Sequence, residues 1–265
     1  MHNTPLTLAE NTTYVVGSAP EASRVRDASR PPSTRIIAVN NGWQVHAETD
    51  AVLVPGDFPE DRLPPPESKI RVIRTRDYVQ AQIALGDVLF CGATMAFSGG
   101  YYALMCSAQR MIGLAGCNMV YDGEKTHFYG QGRPDPLIKS PYTYPSIKNL
   151  KAKSARLFLL GLMQNALILN ATPVEGSQLL CPSFPATPIN RAQCERLLTS
   201  EAVIGLLPRI ADGLALERAF PGDRGTRDLS KVFKNSKQMD YIDRVDAHWQ
   251  SLGQEAVSQV SELLS

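Results

Sequence analysis

The sequence predicts an α/β protein with a Rossmann-like, mostly parallel sheet, helices on both faces of that sheet and a helical C-terminal region. Short, continuously apolar segments recur through the first two thirds of the chain, as expected for parallel strands that are covered on both faces. Turn and helix patterns separate these segments. From Asn190 onward the chain looks wholly helical, apart from an interruption at Pro221–Arg227.

The first forty residues carry one complete βαβ pattern. The β-branched run Thr12–Val16 leads into the turn Gly17–Pro20, which is followed by a charged helical stretch from Glu21 to Ala28. A second continuous apolar run, Arg35–Val39, comes next. This order predicts two parallel strands joined by a helical crossover.

Two further strands are expected before residue 80. Ala51–Val54 has the composition of a buried strand, and Lys69–Arg74 alternates in the manner of a half-buried or edge strand. The proline-rich segment Leu63–Glu67 between them predicts a stiff surface crossing.

The second half of the sheet region contains helices and strands in alternation. Small and apolar residues from Ser98 to Ala108 predict a helix with Ser98 as its N-cap. Met111–Ala115 predicts a strand, Tyr144–Gln164 a long helix and Ala166–Leu169 another strand.

We interpret residues 1–189 as a Rossmann-like nucleotide-binding and catalytic domain, and residues 190–265 as a helical extension packed on it. In the extension, Tyr241, Val245 and Trp249 share one helix face, which indicates core packing or an oligomer seam. Lys231–Lys234 forms a modest basic patch, for which a solvated face is favoured over contact with an anionic membrane. Self-association and peripheral membrane contact stay open.

Composition excludes several classes of protein. Hydrophobic residues make up 43% of the 265 residues and charged residues 20%, so a folded protein is expected. The net charge of +1 argues against a dedicated nucleic-acid binder. No signal peptide or transmembrane-length apolar run is visible, which predicts a cytoplasmic protein. The cysteines form no C-x-x-C pair and are expected to be reduced core residues without a zinc site: Cys91, Cys106, Cys117, Cys181 and Cys194.

Polar or glycine residues follow four of the predicted strands. Because the carboxyl ends of parallel strands meet at one edge of a sheet, these residues are expected to converge on a ligand crevice. The glycine turn would hold a phosphate on backbone N–H groups, and of the four histidines only one has polar chemistry around it. Each residue alone also suits an ordinary turn. The set comprises Gly17, Ser18, Asn40, Asn41, Asp57 and His127.

An ordered set of short motifs runs through residues 12 to 185. Its segments are Gly17–Pro20, Val39–Asn40, Ser98–Gly99, Leu114–Gly116 and Thr126–Gly130. The set resembles the motif order of the bacterial sialyltransferases of glycosyltransferase family 42, and of a related pterin-pyrophosphokinase-like Rossmann group. The resemblance implies a metal-independent glycosyltransferase without a cofactor. Such an enzyme moves a sugar from a CMP-linked donor to the hydroxyl of a glycan or a lipid-linked glycan.

The resemblance also implies roles for single residues. Ser18 would face the donor phosphate and Asn40 the nucleotide. Ser98 and Gly99 would approach the cytidine or phosphate through a helix N-terminus. Tyr129 lies near the family tyrosines that steady the phosphate.

Departures from the family pattern affect the same loops. Glu21 stands where the family has a serine that touches phosphate, and Ala19 replaces a glycine. Asn118, which we count among the donor-binding candidates, replaces an aspartate. The family's catalytic histidine corresponds to Gln131, while His127 matches only the first histidine of that motif. Either His127 serves as the base, or the chemistry differs, or activity is lost.

Two other functions stay open at this stage. A metal-dependent pyrophosphokinase-like enzyme would need carboxylate ligands, for which Asp57 and Asp122 are the candidates. A protein that keeps the fold and binds a nucleotide or another ligand without catalysis is the second alternative.

Overall fold

The computed structural model describes residues 5–88, 91–92, 94–120, 126–130, 149–185, 187–222 and 235–265. Within these ranges a single six-stranded sheet forms the centre of the molecule, and all its neighbouring strands are parallel. The strands are β1 (Thr12–Val16), β2 (Arg35–Val39), β3 (Ala51–Leu53), β4 (Arg71–Ile73), β5 (Met111–Ala115) and β6 (Leu167–Asn170). The predicted α/β, Rossmann-like fold class is confirmed.

Helices connect the strands and continue beyond the last of them. In the described residues these are α1 (Thr75–Ala84), α2 (Met95–Cys106), α3 (Leu150–Met163), α4 (Arg191–Leu198), α5 (Glu201–Arg218) and α6 (Ser236–Leu264). Short 3-10 helices occupy Pro20–Val25, Asn40–Gln44 and Glu60–Arg62. None of the helices in these ranges combines the length and the apolar character needed to cross a membrane.

Strand order places β1 at the point where the chain changes direction. The order is β4-β3-β2-β1-β5-β6, so β2, β3 and β4 extend to one side of β1 and β5 and β6 to the other. Every residue of β1 and β5 is buried, which explains why their sequences are continuously apolar or β-branched. As predicted, Lys69–Arg74 contains an edge strand, β4.

Some of the observed helices differ from the sequence predictions. The helix expected from Glu21 to Ala28 is only the 3-10 helix Pro20–Val25, whose buried residues, Ala22 and Val25, are three apart, as suits three residues per turn. Helix α1 was not predicted, since only Tyr78 and Ala81 among its residues are buried. The described part of the Tyr144–Gln164 helix begins at Leu150, after the N-cap Asn149; residues 144–148 lie outside the described ranges.

The C-terminal helices share a hydrophobic core with the sheet. Val245 and Trp249 of α6 are buried in the same cluster as Val15 and Leu114. Tyr241 packs beside that cluster, and its hydroxyl donates to the carbonyl of Leu216. The apolar stripe on α6 is therefore a core-facing surface. The Lys231–Lys234 patch lies outside the described residues.

Two buried ion pairs join α3 to α5 and α6. Lys153 Nζ lies 2.5 Å from Asp246 Oδ1, and Arg156 Nη1 lies 2.6 Å from Glu217 Oε1. The exposed fraction of each of these four side chains is 2% or less. Trp249 Nε1 also donates to Glu217 Oε1, over 2.8 Å. Charged groups thus form part of the packing between the helices.

Candidate functional site

An open cleft lies at the carboxyl edge of the sheet, where β1 and β5 meet. The connections that follow β1 and β5 run toward opposite sides of the sheet. Open α/β sheets bind ligands at the point between two such strands. Its walls come from residues 17–19, 39–40 and 94–96, and from residues within 116–120 and 126–129. Four of the predicted candidates line this cleft together with Tyr129: Gly17, Ser18, Asn40 and His127.

The turn after β1 is in direct backbone contact with the turn after β5. Gly17 donates its N–H to the carbonyl of Ala115 over 2.8 Å, and Ala19 donates to Gly116 over 3.1 Å. The N–H of Gly17 is therefore not available to a phosphate, contrary to the prediction. Ser18, between them, is the residue of this turn whose N–H has no acceptor among the described residues.

Replacing Gly17 with alanine is expected to lower the free energy of unfolding by about 3 kcal/mol, because the new Cβ would lie 2.2 Å from the Gly116 carbonyl oxygen. Neither backbone can move without breaking the contact between β1 and β5. Urea unfolding monitored by circular dichroism measures this change. Gly56→Ala is the matched control, since the nearest atom to its Cβ is Thr75 Oγ1 at 3.7 Å, and its effect is expected within about 0.5 kcal/mol. Equal stabilities of the two variants would contradict the close approach.

Asn40 follows β2 in the left-handed region, with φ of 51°, a conformation that asparagine tolerates better than most residues. Its side chain lines the cleft, and its buried Oδ1 has no hydrogen-bond partner among the described residues. An acceptor left unpaired in this way costs about 1–3 kcal/mol. A ligand N–H or O–H donor would remove that cost. The Oδ1 of Asn41 also has no partner in the described part of the chain, but Asn41 does not line the cleft.

Helix α2 points its N-terminus at the cleft, but it begins earlier than predicted. Thr94 is the N-cap and accepts the N–H of Ala96 over 3.3 Å. The prediction of Ser98 as N-cap is wrong, because the extended Thr94 supplies the capping hydroxyl one turn before it. Thr94, Met95 and Ala96 line the cleft, so the positive end of the helix dipole faces the cleft, where it favours an anion.

Ser98 and Gly99 instead serve packing inside α2. Ser98 Oγ accepts a hydrogen bond from Gln82 Nε2 over 3.2 Å. A Cβ on Gly99 would come within 2.8 Å of Val15 and Val39, so the missing side chain lets α2 lie close to the sheet. Neither residue lines the cleft.

A tight turn carries His127 and Tyr129 to the cleft. His127 and Gly130 exchange both backbone hydrogen bonds, over 3.1 and 3.0 Å, and Gly130 has φ of 117°. The N–H of Phe128 donates to the carbonyl of Ser18 over 3.0 Å, and its ring packs beside the apolar cluster that contains Val16. The turn is therefore fixed to the β1 turn.

The environment of His127 favours a neutral imidazole. Burial lowers the pKa of His127 from its ordinary value, because the charged form loses solvation. Nδ1 lies 2.9 Å from the hydroxyl of the buried Thr126. The ring also stacks on Tyr129, with centroids 5.0 Å apart. A neutral, oriented imidazole near pH 7 can accept a proton from a hydroxyl group.

Asn118 has a structural place next to the cleft. Its Nδ2 donates to Glu21 Oε1 over 2.5 Å and to the carbonyl of Thr172 over 2.7 Å. Its Oδ1 accepts from Asn170 and Ser177. With its amide fully engaged, Asn118 does not line the cleft. The same contact holds the Glu21 carboxylate away from the cleft wall.

Asp57 does not join the site either. It is exposed in the loop after β3, which is separated from β1 by β2. Among the described residues, no three His, Cys, Asp or Glu side chains are close enough to hold a metal ion together. Asp122 and Gln131 lie outside the described residues.

The described lining contains no charged side chain. Cys117 lines the cleft and was not predicted to do so. Burial raises the pKa of its thiol to about 12, so it stays protonated and is a poor nucleophile. Hydrogen-bonding groups without formal charge therefore form most of the polar surface of the cleft, including Ser18, Asn40, Thr94 and Thr126.

No protein-family model, no curated protein and no solved structure matches this chain. Any assignment of function therefore depends on the residues of the cleft.

Proposed function

We propose that the protein is a metal-independent glycosyltransferase that takes a sugar from a nucleotide-linked donor, with CMP as the favoured nucleotide. The observation that carries the proposal is the meeting of a glycine turn, a helix N-terminus, an unpaired asparagine and a neutral histidine in one cleft at the strand switch point.

The donor phosphate would lie between the Ser18 N–H and the first turn of α2. Both supply backbone dipoles directed at an anion, and neither needs a metal ion or a lysine. The nucleotide would lie near Asn40, whose Oδ1 has no donor among the residues that the structure describes. The amine of a cytosine or a ribose hydroxyl can supply that donor.

Transfer would then proceed by displacement at the anomeric carbon. The imidazole of His127 takes the proton of the acceptor hydroxyl while that oxygen bonds to the anomeric carbon. The bond between this carbon and the phosphate oxygen breaks, and the nucleotide leaves with the electron pair. The α2 N-terminus and the Ser18 N–H stabilise the growing charge on the leaving phosphate.

Calorimetric titration with CMP, UMP, GMP and AMP in the presence of EDTA tests the binding half of this proposal. CMP is expected to bind most tightly, and Asn40→Gly to weaken it about tenfold, which corresponds to ~1.4 kcal/mol. Glycine is chosen because it accepts the positive φ of residue 40. Asn41→Gly is the control and is expected to bind CMP as the unaltered protein does, since Asn41 does not line the cleft.

Two outcomes contradict the proposal. Failure of every nucleotide to bind would leave a protein that keeps the fold for another ligand. Binding that appears only when the titration is repeated with Mg²⁺ in place of EDTA would instead favour the pyrophosphokinase-like alternative, in which a divalent ion bridges donor phosphates.

A further inference from the structure

Tyr129 is an exposed aromatic side chain at the cleft. Its exposed fraction is 45%, although large aromatic rings are usually covered. Among the described residues, the other exposed large apolar side chains are aliphatic or methionine and lie elsewhere on the surface: Ile83, Met105, Val174, Ile204, Leu216 and Leu263. An exposed ring that also lines a cleft marks a contact surface for a ligand.

The position of this ring is fixed by its turn. Phe128 packs inward beside an apolar cluster, whereas the next residue, Tyr129, points its ring to the cleft. The Tyr129 ring lies at 28° to the His127 ring and edge-on to Phe128, with centroids 5.0 and 4.9 Å away. Both backbone hydrogen bonds of the turn and the bond from Phe128 to Ser18 restrain it. The ring is thus held in place before a ligand arrives.

We propose that Tyr129 is the platform for the acceptor sugar, a pyranose whose apolar C–H face lies against the exposed part of the ring. The inference rests on the proposed function and adds the acceptor subsite to it. Stacking removes the apolar faces of both rings from water. The imidazole of His127 stacks on one side of this ring, so a sugar against the exposed part of Tyr129 lies in the same cleft as the base.

The uncharged lining suits the same ligand. The described lining has no charged side chain and includes the hydroxyl of Thr94, a neutral group of the kind that binds sugar hydroxyls. A nucleobase could also stack on a tyrosine. We favour the acceptor because the unpaired Asn40 and the helix N-terminus already provide for the nucleotide, whereas Tyr129 is the exposed part of the lining.

Saturation-transfer NMR with methyl β-galactopyranoside and methyl β-glucopyranoside tests the platform. At least one glycoside is expected to show transfer to its ring C–H protons, and Tyr129→Ala to reduce that signal at least fivefold. Tyr129→Phe keeps the ring and is expected to keep the signal. Met105→Ala removes a comparably exposed side chain from the far end of α2 and is expected to change nothing.

Calorimetry with CMP on the same variants separates this inference from the proposed function. CMP affinity is expected to stay within twofold in Tyr129→Ala. A loss of CMP binding in that variant would mean that the ring holds the base, and an unchanged glycoside signal, or none in the unaltered protein, would also overturn the platform. If CMP fails to bind the unaltered protein, the proposed function fails, and the glycoside signals still decide whether the ring takes a sugar.

Discussion

Replacing Glu217 with alanine is expected to lower the free energy of unfolding by about 3–5 kcal/mol. Glu217 is fully buried, and its Oε1 accepts from Arg156 Nη1 over 2.6 Å and from Trp249 Nε1 over 2.8 Å. The substitution leaves the Arg156 guanidinium charged, with its carboxylate partner gone and no access to water. Tyr101 remains a partner, 3.0 Å from Arg156 Nε, but a phenol does not neutralise the charge.

The loss of stability is expected because a buried charge is left without its partner. Breaking an exposed ion pair should therefore cost much less. Arg209 and Glu255 provide the comparison, because they also join α5 to a neighbouring helix, with an Nη1–Oε1 distance of 2.6 Å. Their side chains are 47% and 40% exposed. Glu255→Ala is therefore expected to cost less than about 1 kcal/mol. Urea unfolding of both variants measures the difference, and similar losses would mean that burial of the Arg156–Glu217 pair is energetically unimportant.

These buried pairs show where local sequence patterns stop being informative. Lys153 and Arg156 look like ordinary charges on the solvent face of α3. Their partners lie 93 and 61 residues further along the chain. Only the packing of α5 and α6 against α3 brings the carboxylates to them, and no local periodicity encodes that packing.

Strand positions were easier to predict, because a parallel strand buried on both faces must be apolar over its whole length. The bounds of β1, β2 and β5 therefore follow from composition. The order of the strands in the sheet cannot be predicted from composition. Asp57 follows a strand as Asn40 does, but β3 is one position further from β1, and so Asp57 lies away from the cleft.

For the other candidate residues, contacts that the local sequence does not reveal determine whether the side chain reaches the cleft. The position of Asn118 after β5 suggested a ligand contact. In the structure its side-chain amide is instead occupied by hydrogen bonds with Glu21, Thr172, Asn170 and Ser177. Two hydroxyl residues, Thr94 and Ser98, both suited the start of α2. The sequence signal for Thr94, a capping residue directly before an apolar run, was present but not distinctive.

Substituting alanine for His127 is expected to reduce the turnover of the proposed sugar transfer by about 10²–10⁴-fold at saturating donor. The variant loses the only group of the described cleft lining that can take a proton from a hydroxyl near neutral pH. CMP affinity should change little, because the proposed nucleotide contacts belong to Ser18, Asn40 and α2. His248→Ala is the control. Its imidazole bonds to the Arg209 carbonyl on the C-terminal helices, and full turnover is expected.

The pH dependence of the proposed transfer reaction provides an independent test of the role of His127. An ordinary imidazole titrates near pH 6.5, and burial lowers the pKa of His127. The neutral form, which is the base, therefore persists at pH values below 6.5. Accordingly, kcat/KM should rise with pH to a plateau, with the midpoint of the rise below 6.5, and the rise should vanish in His127→Ala. A midpoint above 6.5, or the same rise in the alanine variant, would assign the proton transfer to another group.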